Sequence, residues 1–177
     1  MKSIYQFIPY EKLTLETKLS EEEVHARIIA NTSENTTPFG SLFSRGSSSE
    51  KFFNGYRTEH GFLLVPSISY RNSFLPKIEV RTESLRFGTT IDLKLQLNAF
   101  VKVFGMIWLG VVFIILIVNL SLLFDPNQQN EHSQFAVPLF MFLVVYGMFW
   151  GGFKYESARS RKFLQEVLEA NEMNDFN

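Results

Sequence analysis

Cysteine is missing altogether from the 177 residues. That excludes disulfides, thiolate metal centres, haem attachment through cysteine and thiol catalysis, and it agrees with a reducing compartment. An excess of charge of one sign is missing too. The chain has 17 Lys and Arg against 18 Asp and Glu, a net charge of −1, so no global basic field draws it to nucleic acid. The opening MKSIYQFIPYEKLTLETK has no apolar run behind a basic start. It is not read as a secretory signal, and the first span is expected to act as its own insertion signal.

Catalytic and ligand-binding patterns are equally scarce. The three histidines, His25, His60 and His132, are far apart and show no HExxH or paired-ligand spacing, so no metal is expected. Gly40-Ser-Leu-Phe and Gly46-Ser-Ser-Ser lack the Lys-Ser/Thr ending of a phosphate loop. Glu21, Glu22 and Glu23 fit a solvated helix N-terminus better than a catalytic cluster. No cofactor is expected, and the chain is not expected to be an enzyme.

What the chain does have is a sharp division. Mean hydropathy is +0.02, but residues 1–98 and 154–177 are polar while most of 99–153 is apolar. Val103–Phe124 carries no charge, and sixteen of its residues are Leu, Ile, Val or Phe. As an α-helix it covers roughly 33 Å, enough for a hydrocarbon core of about 30 Å. Phe135–Phe153 is shorter and weaker, with Gly147, Gly151, Gly152 and Tyr146 adding little; Pro138 is placed in its first turn, where a missing amide donor costs nothing. The expectation is a transmembrane helix over 99–124, an external loop over 125–134 and a second helix over 135–153. A re-entrant second segment is the alternative.

Positive charges set the orientation. Arg81, Arg86, Lys94 and Lys102 precede the first span, Lys154, Arg159, Arg161 and Lys162 follow the second, and DPNQQNEHSQ between them has no Lys or Arg. The positive-inside rule puts both termini in the cytoplasm, for a multi-pass protein of the inner (plasma) membrane. The sequons at Asn31 and Asn35 are then on the wrong side to be glycosylated.

Residues 1–98 read as a cytoplasmic β-rich domain. Leu13, Leu15 and Leu19 keep a period of two, and Ser20 with Glu23 forms a capping box for a short helix ending near Ala30. Residues 31–50 are rich in Ser, Thr, Asn and Gly and read as a mobile loop. Strands are expected over Phe52–Arg57, Phe62–Arg71, Lys77–Phe87 and Thr90–Leu97. In the last of these, apolar and polar residues alternate. The fold class is therefore an α+β membrane protein: a small antiparallel sheet with one helix, in the order β-α-β-β-β-β, then a two-helix transmembrane hairpin and an amphipathic C-terminal helix and tail over 154–177.

The segment YRNSFLP, the following PKIEV, the later FGTTID, and Tyr155-Glu156 with Lys162-Phe163-Leu164 resemble a pattern of small uncharacterised bacterial membrane proteins. Those have a β-rich N-terminal domain, two spans and a C-terminal helix. The resemblance implies architecture and no activity.

Candidate sites follow. Phe39, Leu42 and Phe43 on the loop either dock onto a partner or bilayer or pack back on the sheet. Tyr70, Arg71 and Asn72 at a strand end form a polar cluster suited to a phosphate or a partner carboxylate, or simply a turn. Lys154, Arg159, Arg161 and Lys162 are placed for anionic lipid or for ordinary anchoring. Gly147 and Gly151 make a GxxxG, and Asn119 is a strongly polar side chain within a span, so all three suit helix packing. The reading is a membrane-tethered binding, sensing or scaffold module that contacts the lipid bilayer and a protein partner. A homo-oligomeric membrane assembly or pore-type effector is the alternative.

Overall fold

The computed structural model describes residues 9–34, 51–70, 72–122 and 133–173. The elements are β1 (Tyr10–Thr17), α1 (Glu21–Ala30), β2 (Thr32–Glu34), β3 (Phe53–Thr58), β4 (Gly61–Pro66), β5 (Pro76–Leu85), β6 (Gly88–Leu97), α2 (Ala99–Leu122), α3 (Ser133–Val167) and β7 (Asn171–Glu172). The protein is α+β, with a mostly antiparallel seven-stranded sheet in the order β2-β3-β4-β5-β6-β1-β7.

Period-two alternation decides the faces of the sheet. Leu13 lies opposite Leu93 and Leu15 opposite Ile91, while Ile78 faces Leu95 and Val80 faces Leu93. These side chains are buried on one face with Phe53, Phe62 and Leu64. The other face carries Lys12, Thr14, Glu79, Asp92, Lys94 and Gln96, all at least partly exposed. Helix α1 covers the apolar face with Val24 and Ile28. The expected capping box closes it: the Ser20 hydroxyl accepts from the Glu23 amide at 3.3 Å, and Glu23 accepts from the Ser20 amide at 3.0 Å. The Ser20 amide, and the Ser20 hydroxyl donating to the same carboxylate at 3.0 Å, hold the Glu23 carboxyl below its ordinary pKa.

Two glycines have a conformational task. Gly61 and Gly88 start the second strands of the β3–β4 and β5–β6 hairpins at φ +140° and +108°, a region closed to most side chains.

Five expectations are corrected. Thr32–Glu34, read as aperiodic loop, pairs parallel to β3, and Asn171–Glu172 adds a further strand beside β1. Both are short, which blunts the sheet edges against pairing with another chain. β4 stops at Pro66, five residues short of the expected strand end, with one further backbone bond from the Ser67 amide to the Phe52 carbonyl at 2.8 Å. The C-terminal helix is not a separate element: α3 runs unbroken from Ser133 to Val167, 35 residues. It also begins earlier than expected, so Pro138 lies in the second turn and leaves one helical carbonyl without its donor.

Helices α2 and α3 contain Ala99–Ser121 and Phe135–Val167, both long and apolar enough to cross a membrane. They pack side by side where Gly105 meets the Phe149 ring. The lower half of α3 then enters the domain's core with Phe153 and Leu164, followed by Leu168 just past its end, beside α1 on the same sheet face.

Candidate functional site

The stripe that α3 turns towards the sheet is Phe153, Glu156, Ser157, Ser160 and Leu164, all essentially buried. Its spacing of three and four is the ordinary helical repeat, but three of its five members are polar. Glu156 has no exposed surface. One carboxylate oxygen accepts a hydrogen bond from the Tyr70 hydroxyl. The other oxygen and the hydroxyls of Ser157 and Ser160 are buried with no partner among the described residues. Burying an acid on so few bonds is costly, so the Tyr70 contact is a strong local constraint.

Tyr70 itself is half exposed through its ring, while its hydroxyl is lodged against Glu156. Burial of that hydroxyl, then the bond to Glu156 and the charge of Glu156, push its pKa up to about 12. The neighbouring Arg159 pulls the other way. Asn72 does what a turn asparagine does: its side-chain oxygen accepts from the Phe74 amide at 2.9 Å. That turn seats Phe74 against Gly152 and the Phe149 ring. Arg71, Phe39, Leu42 and Phe43 lie outside the described residues.

The four cations after the second span are placed differently from one another. Lys154 forms an ion pair with Glu11 at 2.6 Å. Arg159 lies over the Phe52 ring at 5.2 Å, and that ring stacks on Phe163 at 3.8 Å. Lys162 pairs along the helix with Glu166 at 3.8 Å. Among the described residues Arg161 makes no ion pair, hydrogen bond or ring contact. In the apolar helices Asn119 donates to the Ile115 carbonyl at 2.8 Å, one turn back, so it is satisfied locally. Gly147 and Gly151 face open space; the close helix approach uses Gly105 instead.

A second constellation, missed in the sequence, lies at the far end of the sheet. A cleft of about 540 Å³ is lined by Glu21, His25, Arg57, His60, Arg81 and Asp92, among others. The Thr82 hydroxyl donates to Glu21 at 2.7 Å. A hydroxyl has one proton, so His25 Nε2, 2.8 Å from the same oxygen, must be the donor there. The order is imidazole, hydroxyl, carboxylate. Nucleophile activation needs the imidazole in the middle, so Thr82 is oriented by this chain and not activated. Arg57, Arg81 and His60 make no ion pair among the described residues.

Glu156 was within reach of the sequence. Continuing the helical period past Phe153 puts it on the apolar stripe, and only the expected break after the span hid this. The cleft had a fainter signal: Glu21 and His25 stand four apart, but Thr82 joins them only through tertiary pairing.

No family model matches the chain, no curated protein matches it, and no solved structure matches it.

Proposed function

We propose that the chain is a membrane-tethered binding or sensing module, with two spans, both termini in the cytoplasm and its recognition surface at the membrane-distal end of the sheet. The continuity of α3 carries this reading. A 35-residue helix is about 52 Å long, and a bilayer core takes about 30 Å of it. The remainder is the piece that enters the sheet's core. A domain built around the inner end of a spanning helix keeps a fixed attitude to the bilayer, as a scaffold or sensor requires. The cleft, which β6 lines with Thr90 and Asp92, then stands five to seven residues from the strand's inner end at Leu97, roughly 17–23 Å. Its Arg57, Arg81 and His60, without ion pairs among the described residues, suit a polar segment of a cytoplasmic protein.

Because the chain has no cysteine, single cysteines report topology without background. In intact cells an impermeant maleimide should label Asn130→Cys and spare Ser84→Cys, and alkaline carbonate should leave both in the membrane. Labelling at 84 from outside would reverse the topology, and release by carbonate would remove the tether. A photo-crosslinking residue in place of Arg57 should then capture a discrete cytoplasmic protein. Its failure to form any adduct would reject the cleft as the recognition surface.

The open faces of Gly147 and Gly151 favour one second reading, self-association through α3. Leu at both positions should abolish a homo-oligomer seen by native mass spectrometry in mild detergent.

A further inference from the structure

On the open face of the sheet, the strand register gathers lysines that the sequence scatters. Lys12 lies directly opposite Lys94. Lys77 lies opposite Gln96, one place along β6 on the same face as Lys94. Lys102, in the first turn of α2, reaches back to the Gln96 side-chain oxygen, Oε1, at 3.3 Å. Four lysines from four elements thus surround one glutamine, with one carboxylate, Glu79, among them. Glu79 meets Lys94 at 3.4 Å and Gln96 at 2.8 Å. Among the described residues no ion pair engages Lys12, Lys77 or Lys102.

Like charges directly opposite on a sheet repel and destabilise it; Glu79 answers Lys94, which leaves Lys12 beside it without a counter-charge among the described residues. The excess is also confined to one end. One row farther along, Thr14 donates to Asp92 at 2.6 Å and Arg81 lies opposite that carboxylate; beyond it come Glu16, Thr90 and Glu83. The lysine end is the end where β6 passes through Asn98 into α2. Asn98 caps that helix, its side-chain oxygen accepting from the Phe100 amide at 2.9 Å. Gln96 is two residues away, roughly 7 Å along the strand, and lysine arms extend farther.

We propose that Lys12, Lys77, Lys94 and Lys102, organised around Gln96, form a binding site for the phosphate-bearing headgroup of an anionic phospholipid in the inner leaflet. The site rests on the membrane reading above. It moves lipid recognition from the α3 cations, most of which are engaged within the chain, to a surface assembled by the fold. Near a bilayer each such lysine contributes about fivefold to anionic-lipid affinity.

The test is native mass spectrometry of the full chain in mild detergent with equimolar phosphatidylglycerol and phosphatidylcholine. The unaltered protein should retain phosphatidylglycerol preferentially. Glutamine at all four lysines should remove the preference, arginine at all four should keep it, and Arg161→Gln with Lys162→Gln should leave it in place. No preference in the unaltered protein, or one that survives the four glutamines, overturns the site. Displacement of the lipid by millimolar inorganic phosphate also overturns it, because the site would then serve a free anion. Carbonate extraction of the same variants keeps the two proposals apart. Protein released from membranes counts against the tether, and retained protein without lipid preference counts against the lysine site alone.

Discussion

The two halves of α3 are one helix in two environments. In the upper half Phe140 is 68% and Met148 56% exposed, while in the lower half Phe153 and Leu164 are buried. Apolar side chains outside the sheet domain find little protein to cover them, and inside it they complete a core. The reverse holds for polar groups. Asn119, in the companion helix α2, satisfies itself one turn back, whereas Glu156 depends on a residue 86 positions away in sequence. The upper half can therefore be read from composition alone. The lower half can be read only once its partner strands are known.

The sharpest way to break the contrast is to cut the same side chain in both halves. Phe153→Ala should cost about 3–5 kcal/mol, because the cavity opens in a packed core. Phe140→Ala should leave the thermal midpoint of the detergent-solubilised protein nearly unchanged. Equal losses would mean that the lower half is no more committed to the domain than the upper.

Next in size is Tyr70→Phe. It strips the Glu156 oxygen of its donor, at about 1–3 kcal/mol for a buried acceptor left unpaired. The pH dependence has a definite sign. The folded pKa of Tyr70 is raised from 10.0 to about 12, so its contribution is complete below about pH 10 and is lost as pH rises towards 12. Unfolding midpoints should fall more steeply for the unaltered protein than for Tyr70→Phe across that window. Parallel curves would show that the hydroxyl does not lodge against Glu156.

Lys154 stands at the boundary of the two halves. Its ion pair with Glu11 is about three-quarters buried, between the surface and interior cases. Lys154→Gln should cost about 1–2 kcal/mol, and Glu11→Gln with it should restore part of the loss. If the double variant is no better than the sum of the singles, the pair is not coupled.

How much was legible follows the same line. Periodicity and charge read off an α+β chain with an antiparallel sheet and two long apolar helices, and the Ser20–Glu23 cap, because each depends on residues close in sequence. β2 and β7 were hidden, since edge strands of three and two residues carry no period of their own. The cleft and the lysine cluster were hidden for a deeper reason. Lys12 and Lys94 are neighbours only through the β1–β6 register, and no local pattern encodes a register between strands that far apart.

The smallest expected effect tests the upper half against itself. Gly105 and Gly147 are both helical glycines in apolar helices, and alanine should favour the helix slightly at each. At Gly147 the added methyl meets nothing, so Gly147→Ala should be neutral to slightly stabilising, within about 1 kcal/mol. At Gly105 the same methyl lands on the Phe149 ring, and Gly105→Ala should be destabilising by about 1–3 kcal/mol as the helices are pushed apart. The contrast in sign isolates packing from propensity, since only packing differs between the two sites. Were Gly147→Ala to prove the costly one, a surface that faces open space in the single chain would have to be covered in the membrane. The self-association reading would then displace the tethered module.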